Sequence, residues 1–107
     1  MEERYLLDGT SLRFMVPQEL DHHCAEQARE ELELMIATYP IRQIIFDFKN
    51  TDFMDSSGIG MIMGRYQNLK YRGGSVCAEH LNQRMKRIFL LSGLHKIVKL
   101  VEEESVG

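Results

Sequence analysis

The sequence lacks any apolar run approaching the ~20 residues that cross a bilayer. Its opening Met-Glu-Glu-Arg is not the basic stretch plus apolar segment of a secretory signal. Both absences lead to the expectation of a cytoplasmic protein with no membrane partner. Positive charge is not in excess either. Thirteen Lys and Arg face 16 Asp and Glu, a formal charge of −3, so the field that a nucleic-acid backbone requires is missing and nucleic acid is not expected as a partner. Cysteine is scarce: Cys24 and Cys77 are far apart and form no Cys-x-x-Cys pair, which argues against a disulfide framework or dithiol redox motif and leaves two free thiols. Linkers, internal repeats and low-complexity tracts are also absent. What is there, 107 residues with 44% hydrophobic and 27% charged, has the balance of an ordinary globular domain and the length for one continuous core, so residues 1–107 read as a single domain.

Along the chain, Arg4 to Leu7 and Ser11 to Val16 flank Asp8-Gly9-Thr10, a hairpin signal. Leu12, Phe14 and Val16 alternate with Ser11, Arg13 and Met15, so the second strand has one clear core face, and Pro17 ends it. Asp21 is placed to cap a long helix reaching about Thr38, with Ala25, Ala28, Leu32, Met35 and Ile36 on its apolar stripe and Glu26, Arg29, Glu30 and Glu33 mostly opposite. Gln43 to Lys49 is too short for a helix and too apolar for a sheet edge, so it belongs in the centre of a sheet. A second helix runs to Tyr71-Arg72-Gly73-Gly74; Ser75 to Glu79 is a strand; Leu81 or Asn82 opens a third helix that Ser92-Gly93 stops. Ile97 to Val101 makes a last strand, followed by the solvating Glu102-Glu103-Glu104. The alternation predicts parallel crossovers, and the opening hairpin makes the sheet mixed.

The centre of interest is Phe53-Met54-Asp55-Ser56-Ser57-Gly58-Ile59-Gly60, where a strand-like run becomes a helical pattern. Asp55, Ser56 or Ser57 can each cap the free backbone N–H groups at a helix start, and Ile59, Ile62, Met63, Tyr66 and Leu69 then recur at helical spacing. Such an end stabilises an exposed anion by roughly 0.3–1 kcal/mol. A nucleophile elbow needs Gly-x-Ser-x-Gly and a base, whereas no glycine stands two before either serine and no local spacing places His22, His23, His80 or His95 beside Ser56. His22, His23 and Cys24 are adjacent on a helix, point about 100° apart and cannot face one metal ion; Cys77 and His80 add no spaced pair. Gly58, Gly60 and Gly64 spell no nucleotide loop and suggest close packing of this helix on a neighbour. Arg84, Lys86 and Arg87 read as a solvated basic face.

Three motifs stand in one order. They are the Phe53–Gly60 stretch with Gly64-Arg65-Tyr66 behind it, Glu19-Leu20-Asp21-His22-His23 at the first long helix, and Phe89-Leu90-Leu91-Ser92-Gly93-Leu94-His95-Lys96-Ile97 near the end. In this the chain resembles, over nearly its whole length, the bacterial anti-sigma-factor antagonists of the STAS domain family, sporulation type. The resemblance implies an α/β fold: one small STAS-like domain, a mixed β-sheet of four to five strands with helices packed mainly on one side. It implies a switch in transcription regulation, not an enzyme, with no catalytic residue, cofactor or metal. The unphosphorylated form would bind an anti-sigma factor that is also a serine kinase, holding ATP or ADP, and release the sigma factor. Phosphorylation of the serine directly after the aspartate, which maps to Ser56 with Ser57 as the neighbouring candidate, would end binding, and a serine phosphatase acting on phospho-Ser56 would restore it. The implied partner-binding edge comprises Asp21, His22, Asp55, Ser56, Ser57, Gly58 and Ile59. The alternative is a STAS-type nucleotide- or anion-binding module using the same helix end. Two departures stand out: Pro17-Gln18 precedes Glu19 where a glycine is common, which removes a residue suited to positive φ, and Ile59 replaces the usual leucine. The chain ends soon after the last strand, implying that a long final helix is absent or shortened.

Overall fold

The computed structural model describes residues 4–102, so the expectations about Glu103, Glu104 and a final helix lie outside the described residues. The hairpin forms as β1 (Tyr5–Asp8) and β2 (Ser11–Met15), joined through Gly9 at φ 63°, a left-handed value that glycine adopts without a Cβ penalty. Next come β3 (Glu19–Leu20), α1 (His22–Thr38), β4 (Gln43–Asp47), β5 (Phe53–Met54), α2 (Ser56–Lys70), β6 (Ser75–Glu79), α3 (Gln83–Ser92), a 3-10 turn (Leu94–Lys96) and β7 (Lys99–Val101). The main sheet has the order β1-β2-β4-β6-β7, antiparallel at β1-β2 and parallel thereafter, with β4 central as its apolar run requires. The mixed α/β domain of five strands is therefore present. Ile97 and Val98 lie outside the last strand because the chain first makes the 3-10 turn.

Strand alternation divides the sheet. Leu12, Phe14, Ile44, Phe46, Val76 and Ala78 enter one core with Ala25, Ala28, Leu32 and Ile36 of α1, Ile62 and Leu69 of α2 and Met85 and Phe89 of α3. Phe14 meets Phe46 edge-on at 6.0 Å between ring centroids, and Phe48 meets Phe89 at 5.4 Å. The stripe of α2 is shifted from expectation: Met61 and Arg65 are buried, while Ile59, Met63 and Tyr66 are only partly so. This helix packs against α1 as well as β6, so it buries a wider arc than a helix lying on a sheet alone. Gly60 and Gly64 do not mark a close approach, since a Cβ at either would meet nothing within 4 Å. Gly58 does: its Cβ would fall 2.6 Å from Met54 Cγ and 3.0 Å from Leu20 Cγ.

Candidate functional site

A second, two-stranded sheet that sequence patterning missed positions the serine segment. β3 and β5 run parallel, Glu19 opposite Phe53 and Leu20 opposite Met54. Two residues a strand are too few for a period to register. The ribbon is held at its start by Asp52 N–H and Phe53 N–H donating to the Gln18 carbonyl at 2.8 and 3.2 Å, and by the buried Thr51 hydroxyl donating to the Pro17 carbonyl at 2.9 Å. The turn through Pro17 and Gln18 needs no left-handed residue; His80 is the only non-glycine at positive φ among the described residues.

Each ribbon strand feeds a helix through an aspartate, so the two helix N-termini lie side by side. Asp21 Oδ1 accepts from Cys24 N–H at 3.0 Å and caps α1; Asp55 Oδ1 accepts from Ser57 N–H at 2.9 Å and Gly58 N–H at 3.2 Å and caps α2. The bond from Cys24 N–H holds the Asp21 carboxyl below its ordinary range. Of the three possible caps on α2, Asp55 is the one used. Ser56 is exposed at the first helical position, and Ser57 is half-buried with its Oγ 3.0 Å from His22 Nδ1. His22 thus stands beside Ser57, a pairing that sequence spacing does not reveal because it is made by the ribbon register. No histidine is hydrogen-bonded to Ser56 among the described residues. Gly58 is buried and Ile59 half-buried, so both are turned inward from the edge formed by Asp21, His22, Asp55, Ser56 and Ser57. Phe53, 43% exposed, flanks this edge.

The STAS domain family profile matches residues 6–106. The chain belongs to the STAS domain family. It is 36% identical over 86 residues to the anti-sigma F factor antagonist of Paenibacillus polymyxa, covering 80% of this chain and 74% of that protein. It is 33% identical over 89 residues to the anti-sigma F factor antagonist of Lysinibacillus sphaericus, with 82% and 76% covered. Among solved structures it is similar to the anti-sigma factor antagonist SpoIIAA in its unphosphorylated form (TM-score 0.76, 26% identity, 92% of this chain and 84% of that one). It is likewise similar to the Bacillus cell fate determinant SpoIIAA in the phosphorylated form (TM-score 0.73, 30% identity, 92% and 89% covered).

This STAS domain has two other polar clusters, one away from the serines and one in a cleft that Ser57 itself lines. On the outer sheet face, Arg13 Nη1 bridges Asp47 Oδ2 at 2.9 Å and Glu79 Oε1 at 2.7 Å, while Asp47 Oδ1 meets His80 Nδ1 at 2.9 Å and accepts from Lys49 N–H at 3.0 Å. Burial would raise the Asp47 pKa, but His80, the Lys49 amide and Arg13 together leave it lowered. Asp47, Glu79 and His80 have metal-ligand spacing, yet Arg13 already supplies positive charge between the carboxylates; His22, His23 and Cys24 join no such group among the described residues. The second cluster lines a cleft of about 210 Å³ between α1 and α2, formed by His22, Ala25, Glu26, Arg29, Ser57, Gly60, Met61 and Arg65. Arg65, 4% exposed, donates to Asn68 Oδ1 at 2.9 Å and Glu33 Oε1 at 3.1 Å, and its Nη1 has no partner. On α3, Arg84 and Arg87 are exposed and Lys86 half-buried, as a solvated face requires.

Proposed function

We propose that this STAS domain is an anti-sigma-factor antagonist acting as a partner switch, with Ser56 as the phosphoacceptor. The observation that carries the reading is the exposed Ser56 at the first position of α2, beside an aspartate cap, with its hydroxyl in no hydrogen bond among the described residues. In this reading the unmodified edge, formed by Asp21, His22, Asp55, Ser56 and Ser57 with Phe53 beside it, binds an anti-sigma factor serine kinase carrying ATP or ADP, and the sigma factor is released in the cytoplasm. The kinase transfers the γ-phosphoryl group to Ser56, and a serine phosphatase removes it. Asp55 fixes the helix start and so the direction in which Ser56 points; base and magnesium ligands belong to the kinase. The chain itself has no catalytic role.

A phosphate adds about −1.5 to −2 charges. The helix end offers it less than sequence alone suggests, because Asp55 Oδ1 already occupies the Ser57 and Gly58 amides and adds a negative charge of its own. The new dianion therefore faces outward, into the space a partner fills, and its cost falls on the interface. The same occupancy disfavours the alternative of a nucleotide- or anion-binding module at this helix end. Incubation with the cognate anti-sigma kinase and ATP should add one phosphate by intact mass, and none to Ser56→Ala; undiminished modification of that variant would refute the assignment.

A further inference from the structure

Two adjacent hydroxyls begin α2, but only one is available. Ser56 is exposed and makes no hydrogen bond among the described residues, whereas Ser57 is half-buried and bound to His22. The difference follows from the ribbon. Leu20 opposite Met54 sets the caps Asp21 and Asp55 level, which brings the first residue of α1 against the second residue of α2. Both His22 and Ser57 line the cleft between the helices. On the α2 side the cleft is open at Gly60, three residues after Ser57, where a Cβ would meet nothing within 4 Å, while Met61 and Arg65 line it further along. The imidazole of His22, itself exposed, is the hydrogen-bond partner of this hydroxyl.

We propose that His22 is the specificity residue of the switch: it holds the Ser57 hydroxyl in the α1–α2 cleft, so that Ser56 alone is phosphorylated and Ser57 is a second acceptor masked by the fold. The inference rests on the reading of Ser56 given above. Transfer to either serine forms an Oγ–P bond and breaks the bond from the γ-phosphorus to the β,γ-bridging oxygen. That oxygen leaves on ADP, and the hydroxyl proton passes to a base of the kinase. The acceptor oxygen must come in line with the phosphorus at about 3–3.5 Å. Ser56 meets that requirement from the surface, while Ser57 must first give up its bond to His22 and turn out of the cleft. Removing one hydrogen bond of ordinary net strength shifts such a choice by about five- to tenfold.

The test is the ratio of Ser57 to Ser56 phosphopeptide, read by tandem mass spectrometry after incubation of the full chain with the cognate anti-sigma kinase and ATP. The native protein should be labelled on Ser56. His22→Ala should raise the ratio by about five- to tenfold, and His22→Asn, whose amide falls near the position of Nδ1, should return it toward the native value. A general loss of folding or docking slows both sites and leaves the ratio alone. A ratio unchanged in His22→Ala, with Ser56 still the labelled residue, overturns the masking role and leaves the phosphoacceptor reading standing. Label on Ser57 of the native protein, or on neither serine, overturns both.

Discussion

Replacing Gly58 by alanine tests whether α2 rests on the β3–β5 ribbon as described. The added Cβ would lie 2.6 Å from Met54 Cγ, closer than real Cβ atoms come, and 3.0 Å from both Leu20 Cγ and Cδ2, tighter than most real contacts. Met54 and Leu20 are both buried, Leu20 completely, so neither can swing into solvent without opening the core. Overpacking of this kind costs about 1–3 kcal/mol, and the better helix propensity of alanine returns up to about 1 kcal/mol. A net loss of about 1–2 kcal/mol is expected. At roughly 4–8 °C per kcal/mol for a domain near this size, Tm should fall by about 5–15 °C in a thermal melt followed by circular dichroism. Gly60→Ala is the internal control, because its Cβ enters open space: it should leave Tm unchanged or raise it. Equal or greater stability of Gly58→Ala would mean that the helix start does not press on Leu20 and Met54, and the described seating of α2 on the ribbon would be wrong.

The outer-face cluster makes stability depend on acid. Asp47 has a folded-state pKa below its ordinary 3.8, so its contribution is full above about pH 4 and is lost as the pH falls through the folded-state value. The gap in Tm between native protein and Asp47→Asn should therefore be open at neutral pH and narrow as the pH falls below the ordinary carboxylate range; a gap constant with pH would contradict the ion-pair account. Arg65→Met should cost less than about 1.5 kcal/mol in urea unfolding, because it removes a buried charge with one unpartnered nitrogen and keeps most of the volume. A loss above about 3 kcal/mol would show that the bonds to Glu33 and Asn68 outweigh desolvation.

The elements legible in the sequence are those with a period or a stop signal long enough to read. α1 begins after Asp21 and ends at Thr38 because a capping aspartate and a 17-residue stripe both mark it. Gly73 and Gly93 sit at positive φ just beyond α2 and α3, where the helical patterns break. β3 and β5 carry no such signal, and they are what makes the site: without their register, His22 has no reason to stand beside Ser57. Arg65 is not legible as a core residue because charge reads as surface, and it is buried where α2 faces α1, beside Glu33 and Asn68. The site residues came largely from family resemblance; sequence physics alone left three capping oxygens, which geometry resolves into a cap, an exposed hydroxyl and a bound one.

Affinity for the anti-sigma factor before and after phosphorylation tests the central claim most directly. Isothermal titration of the kinase with the unmodified protein and with the protein phosphorylated on Ser56 should show a loss of about 3 kcal/mol, roughly a hundredfold in Kd, with the fold unchanged by circular dichroism. Equal affinity of the two forms would contradict the switch.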